Sequence, residues 1–222
     1  MDELFFLFLT VAVFSLSSLL YNKKRIPLFI PVLTSTFFIG AILITLSVPY
    51  EQYFNGAHWI SELLGPSIVA LAYPLYTYRS LLYRNWLSIL SGVFAGFFIG
   101  FFSVHAASAL FSFSDLMTRS LYPKSVTTPV AMEIASATNG SPELASLFVV
   151  ITGIIGAVIS PVLFRLFNIS SPSSRGISLG SSAHAIGTSK AAEYGEETAA
   201  YSSVAMALSC VVASVFIHLW VK

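Results

Sequence analysis

Five stretches of this chain are apolar for about the 20 residues that a helix needs to cross a bilayer's hydrocarbon core. They are Leu4–Tyr21, Pro27–Val48, Trp86–Phe111, Leu144–Phe167 and Ala199–Trp220. Only 9% of the 222 residues are charged, where a soluble domain carries about 25%. Mean hydropathy is +0.82. Eleven Lys or Arg against ten Asp or Glu give a net charge of +1, which leaves no basic field to hold nucleic acid. Cys210 has no intrachain partner, and no metal or cofactor motif is present. The first run follows acidic Asp2 and Glu3 and precedes basic Lys23, Lys24 and Arg25. It therefore reads as a retained span with its N-terminus outside rather than a signal peptide. The expectation is an all-α polytopic membrane protein, a single membrane domain over residues 1–222.

Three further segments are too short, polar or broken to be ordinary spans: Ile60–Tyr76, Arg119–Ala137 and Ile177–Ala192. Non-helical backbone at membrane depth survives only when it is buried in protein or lines a wet cavity. An offset of 115 lays Leu64–Ala72 on Leu179–Gly187 with four identities in nine, and it also aligns the flanking apolar runs. The chain is accordingly read as two pseudo-repeats, about 1–115 and 116–222. If the segments around Gly65 and Gly180 dip in and return, eight cations gather on the inner side and three outside, as the positive-inside rule favours. That arrangement gives two inverted repeats whose broken, re-entrant helices meet near the membrane midplane, the sequence pointer to a secondary transporter.

The polar residues of the broken segments are the candidate site. In Gly180-Ser181-Ser182-Ala183-His184-Ala185-Ile186-Gly187-Thr188, Ser181 or Ser182 is placed to cap a following helix, whose first-turn N–H groups suit a carboxylate. His184 and Thr188, four apart, share one helix face; the competing reading is a small-residue packing surface with a hydrogen-bonded His. In Pro123-Lys124-Ser125-Val126-Thr127-Thr128-Pro129, Thr128 reads as an N-cap with Pro129 at N1, and the three hydroxyls of Ser125, Thr127 and Thr128 again suit an anion. Glu133 either pairs with Lys124 or Arg119 or titrates as a proton-coupling group. Gly65 and Ser67 repeat the Gly180 motif in less polar form, as a kink or a further ligand contact. Gly92, Gly96 and Gly100 form overlapping GxxxG patterns, a helix-packing or oligomer surface, with homodimerisation through the Gly92 face as one use of it. His58, His105 and His218 are expected to make local hydrogen bonds. No catalytic motif supports an enzyme.

LLGPSIVALAYPLY, PKSVTTPVAMEIA, the span containing TGIIGAVISP, and LGSSAHAIGTSKA resemble the LrgB/CidB family of bacterial membrane proteins, over about Leu63 to Ala207. Two departures stand outside the candidate site, at Ala137–Gly140 and at Thr198. The resemblance implies a multi-pass protein of the bacterial cell membrane acting with a small LrgA/CidA-type partner. It implies one of two activities: a holin- or antiholin-like modulator of murein hydrolases and autolysis, or a carboxylate carrier. The helix starts and the repeat favour the second. The expectation is a secondary active transporter for small monocarboxylates such as pyruvate, glycolate or lactate, moving by rocking or an elevator-like shift. Its carboxylate would lie between Thr127–Thr128 and Ser181–Ser182, oriented by His184, Ser125 and Thr188, with Glu133 or His184 coupling protons. The alternative is the non-transporting regulator.

Overall fold

A computed structural model describes residues 3–24, 29, 31–63, 66, 69–70 and 72–221. Every regular element among them is a helix. The chain is a polytopic α-helical membrane protein; among the described residues four helices are long and apolar enough to span a bilayer. Contacts divide it into two units, residues 1–67 and 68–222.

The N-terminal unit holds α1 (Glu3–Lys23), α2 (Pro31–Thr45) and α3 (Tyr50–Ser61). Phe6 of α1 is buried and meets Tyr53 of α3 edge-on, and Thr10 Oγ1 bonds Tyr53 OH at 3.0 Å. The sequence reading expected a full span over Pro27–Val48. The helix described there has 15 residues, about 22 Å of a core about 30 Å thick. Left-handed Ser47 ends that run, and Pro49 disfavours helix at the residue before it. Helix α3 was not anticipated; it starts directly after Pro49.

The C-terminal unit comprises α4 (Ala72–Thr77), α5 (Arg79–Phe111), α6 (Asp115–Leu121), α7 (Thr128–Ala137), α8 (Pro142–Leu166), α9 (Pro172–Ala192) and α10 (Glu196–Trp220). Helix α5 bends at Asn85, where φ is −125° and ψ is 24°, directly before the apolar run that starts at Trp86. Helices α5, α8 and α10 are the long apolar helices of this unit, and α6–α7 and α9 fold back between them.

The count of eight cations inside and three outside takes Arg119–Ala137 as a crossing, which puts Arg119 and Arg165 on one side; the segment is a hairpin. Thr118 bonds Ser108, Tyr122 OH bonds His105, and Lys124 and Ser125 reach Gly100, so the chain descends antiparallel to α5. It then returns along α7. Arg119 Nη1 donates to Thr138 O at 2.8 Å, and Ser141 N donates to Ser120 Oγ at 2.8 Å, tying the way out to the way in. From Gly100 to the helix end at Phe111 is eleven residues, about 16 Å of depth.

Helix α9 forms a second hairpin, and here the expected dip and return around Gly180 is what is found. Arg175 lies over the rings of both Phe164 and Tyr194, so both limbs meet the same end of α8. The break falls at His184, whose Nε2 lies 2.9 Å from Val149 O, deep along α8. Because α8 crosses between them, the two hairpins open at opposite ends of the bundle. Arg119 and Arg165 therefore lie at opposite ends, where the expectation put them on one side. Among the described residues of this unit, Arg79, Arg84, Arg165, Arg175 and Lys190 gather at the end where α9 enters, against Arg119 at the other. The positive-inside rule makes the α9 end cytoplasmic.

The tightest seam joins α9 to α10. A Cβ built on Gly176 would lie 2.5 Å from Thr198 O, and one on Gly180 would collide with Ser202 O. Without a hydrophobic driving force between helices in lipid, such close backbone approach supplies the packing energy. Gly180→Ala is expected to destabilise the solubilised protein by about 1–3 kcal/mol, an overpacking cost against backbone. Gly40, with nothing within 4 Å of its Cβ position, is the control, and Gly40→Ala should be neutral or gain up to about 1 kcal/mol. Thermal unfolding in detergent compares them. Orientation is checked with single cysteines in a Cys210→Ser background: Ser170→Cys and Glu196→Cys should label only from the cytoplasm, Asp115→Cys and Ser136→Cys only from outside. Labelling of all four from one side would contradict the opposed hairpins.

Candidate functional site at the hairpin tips

The long apolar helices run over Tyr83–Phe111, Pro142–Leu166 and Glu196–Trp220, with midpoints at Phe97, Ile154 and Leu208. The hairpin tips touch them close to those midpoints. Gly96 faces Ser181, and Gly100 faces Lys124 and Ser125. Gly153 faces His184, and Gly156 faces Ala183. Cys210 Sγ lies 3.6 Å from Thr127 Oγ1. All are within three residues of a midpoint, about 5 Å at helical rise. Gly96 and Gly100 are one helical turn apart, so the two tips approach each other along α5. The GxxxG face is thus occupied inside the chain by Ile177, Ser181, Lys124 and Ser125, and the homodimer expected through the Gly92 face has no open surface there.

The first tip is built by the start of α7. Thr127 is its N-cap, Thr128 its first residue and Pro129 follows, one position earlier than the sequence reading placed the cap. The Thr127 side chain does not cap; it is buried against Cys210. The first-turn N–H groups of α7 consequently lack a side-chain acceptor. Ser125 Oγ accepts from Lys124 Nζ at 3.5 Å. Glu133 is exposed on α7 and pairs with neither expected cation. Arg119 is spent on Thr138 O, and among the described residues Lys190–Glu193 is the one ion pair.

The second tip departs further from expectation. Ser181 and Ser182 do not cap a following helix, because each hydroxyl donates one turn back, to Ile177 O at 2.7 Å and Ser178 O at 2.6 Å. They also part company: Ser181 is buried toward α5, while Ser182 is exposed and lines a groove beside Ile155 and Ile159 of α8. The helix breaks later, at His184, with φ 43° and ψ −129°. That conformation favours glycine and costs of order 1–3 kcal/mol elsewhere. It persists because the ring is clamped: His184 is 2% exposed, and its Nε2 must donate, since Val149 O can only accept. His184 and Thr188 do not serve one face. The ring turns to α8, whereas Thr188 Oγ1 bonds Ser202 Oγ at 2.9 Å on α10. Gly65 and Ser67 lie outside the described residues, as do five of the nine positions of the Leu64–Ala72 match.

Lys124 and Ser125 thus sit on α5 one turn from Ser181, and both tips reach half-way between the bundle's ends. Lys124, the one cation of the Pro123–Pro129 segment, did not stand out in the sequence reading. Re-entrant hairpins packed among long apolar helices place the chain in the class of polytopic α-helical membrane proteins.

The LrgB-like family's profile matches residues 10–222, and the chain belongs to that family. It is 42% identical over 208 residues to the uncharacterized protein YxaC of Bacillus subtilis strain 168, covering 94% of this chain and 90% of that one. It is 32% identical to the holin-like protein CidB of Staphylococcus aureus strain N315, over 97% of this chain and 94% of that protein. The holin-like protein CidB of Staphylococcus epidermidis strain ATCC 12228 matches at 32% over 94% and 91%. No solved structure matches the chain. Membership and the four apolar helices make this a multi-pass protein of a bacterial membrane.

The strained break gives a direct test. His184→Gly deletes the ring but accepts a positive φ; His184→Ala deletes it and does not. The Ala variant should unfold at lower temperature, by about 1 kcal/mol or more. A Gly variant less stable than the Ala variant would contradict the left-handed break.

Proposed function

We propose that the chain is a holin-like regulator of the LrgB type, modulating murein hydrolase activity and autolysis with a small LrgA/CidA-type membrane partner. The observation that carries this is the alignment with CidB proteins, which leaves little of either chain unmatched. In this role the protein is not itself a catalyst; it acts through the membrane and its partner. Deleting the gene in its host should change murein hydrolase activity on zymograms and the rate of autolysis, and the intact chain should restore both. Unchanged hydrolase activity in cells that express the protein would sink this reading.

The opposed hairpins favour a second reading, that the chain or its complex carries small monocarboxylates such as pyruvate, glycolate or lactate by secondary active transport. Two broken segments meeting half-way through a bundle, each opening to a different end, suit alternating access by rocking or elevator-like motion. The substrate would lie against Ser125, Thr127, Thr128 and the His184 break. Ser181, Ser182 and Thr188 would shape the second hairpin around it. Glu133 or His184 would be the proton-coupling group. Autolysis would then respond indirectly, through altered acid overflow. Uptake of labelled pyruvate into proteoliposomes, with and without the partner and a proton gradient, separates the readings. Saturable uptake competed by glycolate supports the carrier; none, with orientation verified, leaves the regulator alone.

A further inference from the structure

A cation at mid-membrane is costly unless something compensates it, and such a residue is a functional site by default. Lys124 is that cation here. Its Nζ would lie 3.4 Å from a Cβ on Gly100, three residues from the midpoint of the Tyr83–Phe111 span. Among the described residues no carboxylate forms an ion pair with it, and its one hydrogen bond is the long one to Ser125 Oγ.

Two features lie beside it. The start of α7, a ten-residue helix, has no side-chain cap, so its positive end adds to the ammonium. Ser125 presents a hydroxyl beside it.

We propose that Lys124 is the counter-charge for a small monocarboxylate bound at the first hairpin tip, with Ser125 and the α7 start as its hydrogen-bonding partners. This rests on the carrier reading and names the residue that selects its substrate class. One uncompensated positive charge matches one negative charge. A dianion would leave net charge at mid-membrane, and an uncharged solute would leave the ammonium unpaired. Lys124 binds the carboxylate and the hydroxyl orients it, so affinity depends on the charge at position 124 rather than on its bulk.

The test is equilibrium binding of labelled pyruvate to the full-length protein in nanodiscs, run beside proteoliposome uptake. Lys124→Gln should bind at least about tenfold more weakly, the scale of a lost charge-assisted hydrogen bond, and Lys124→Arg should retain most of the affinity. Without ligand, Lys124→Gln should melt no lower than the wild type, because an unpaired charge is removed; a structural role predicts a lower melting point. Equal pyruvate affinity in wild type and Lys124→Gln overturns the assignment even if both transport. So does a wild type that binds none of pyruvate, glycolate or lactate, or one from which equimolar chloride displaces pyruvate. Binding lost in Lys124→Gln but without wild-type uptake keeps the site and removes the carrier.

Discussion

Backbone that leaves the helix at the middle of a membrane must find partners there, because lipid offers none. The C-terminal unit is organised around that requirement. Each hairpin tip is seated on crossing helices at positions whose side chains are missing or small. Gly96 and Gly100 on α5, Gly153 and Gly156 on α8, and Ser202 opposite Gly180 on α10 let the tips approach main chain. Larger residues there would hold the tips away and expose peptide groups to hydrocarbon. The same crowding holds His184 in a backbone conformation that an isolated chain would avoid. Its ring occupies the space left by Gly153 and donates to Val149 O, so packing and hydrogen bonding together offset the strain.

Much of this was legible in the sequence. Apolar length marked α5, α8 and α10, and Gly or Pro beside Ser or Thr marked the segments that are not ordinary spans. What could not be read was direction. Whether Arg119–Ala137 crosses or returns depends on contacts such as Arg119 with Thr138 O, between residues 19 apart in sequence. No local pattern encodes them. The break in α9 was misplaced for a related reason. Ser181 and Ser182 look like caps, but their hydroxyls can equally bond one turn back, and neighbouring helices decide between the two. A histidine at positive φ is unusual enough that sequence alone would put the break at a glycine. The GxxxG face was read correctly as a close-packing surface and wrongly as one open to a second copy.

The two functional readings ask different things of the same residues. A regulator that acts by assembling with a partner needs exposed apolar faces, and α8 supplies them at Leu147, Ile151, Ile155 and Leu166. Those faces equally suit lipid, so they do not separate the readings. The hairpin tips do. Burying irregular backbone and an unpaired ammonium half-way through a bundle costs stability that a purely peripheral contact surface would not demand. Such costs persist where a site uses them. If the regulator is the whole story, neutralising Lys124 should improve the protein and leave its effect on autolysis intact. If a small acid is bound there, the same change stabilises the empty protein and abolishes its response to that acid. In that second case any effect on the cell wall would run through the acid bound at mid-membrane and not through a contact surface.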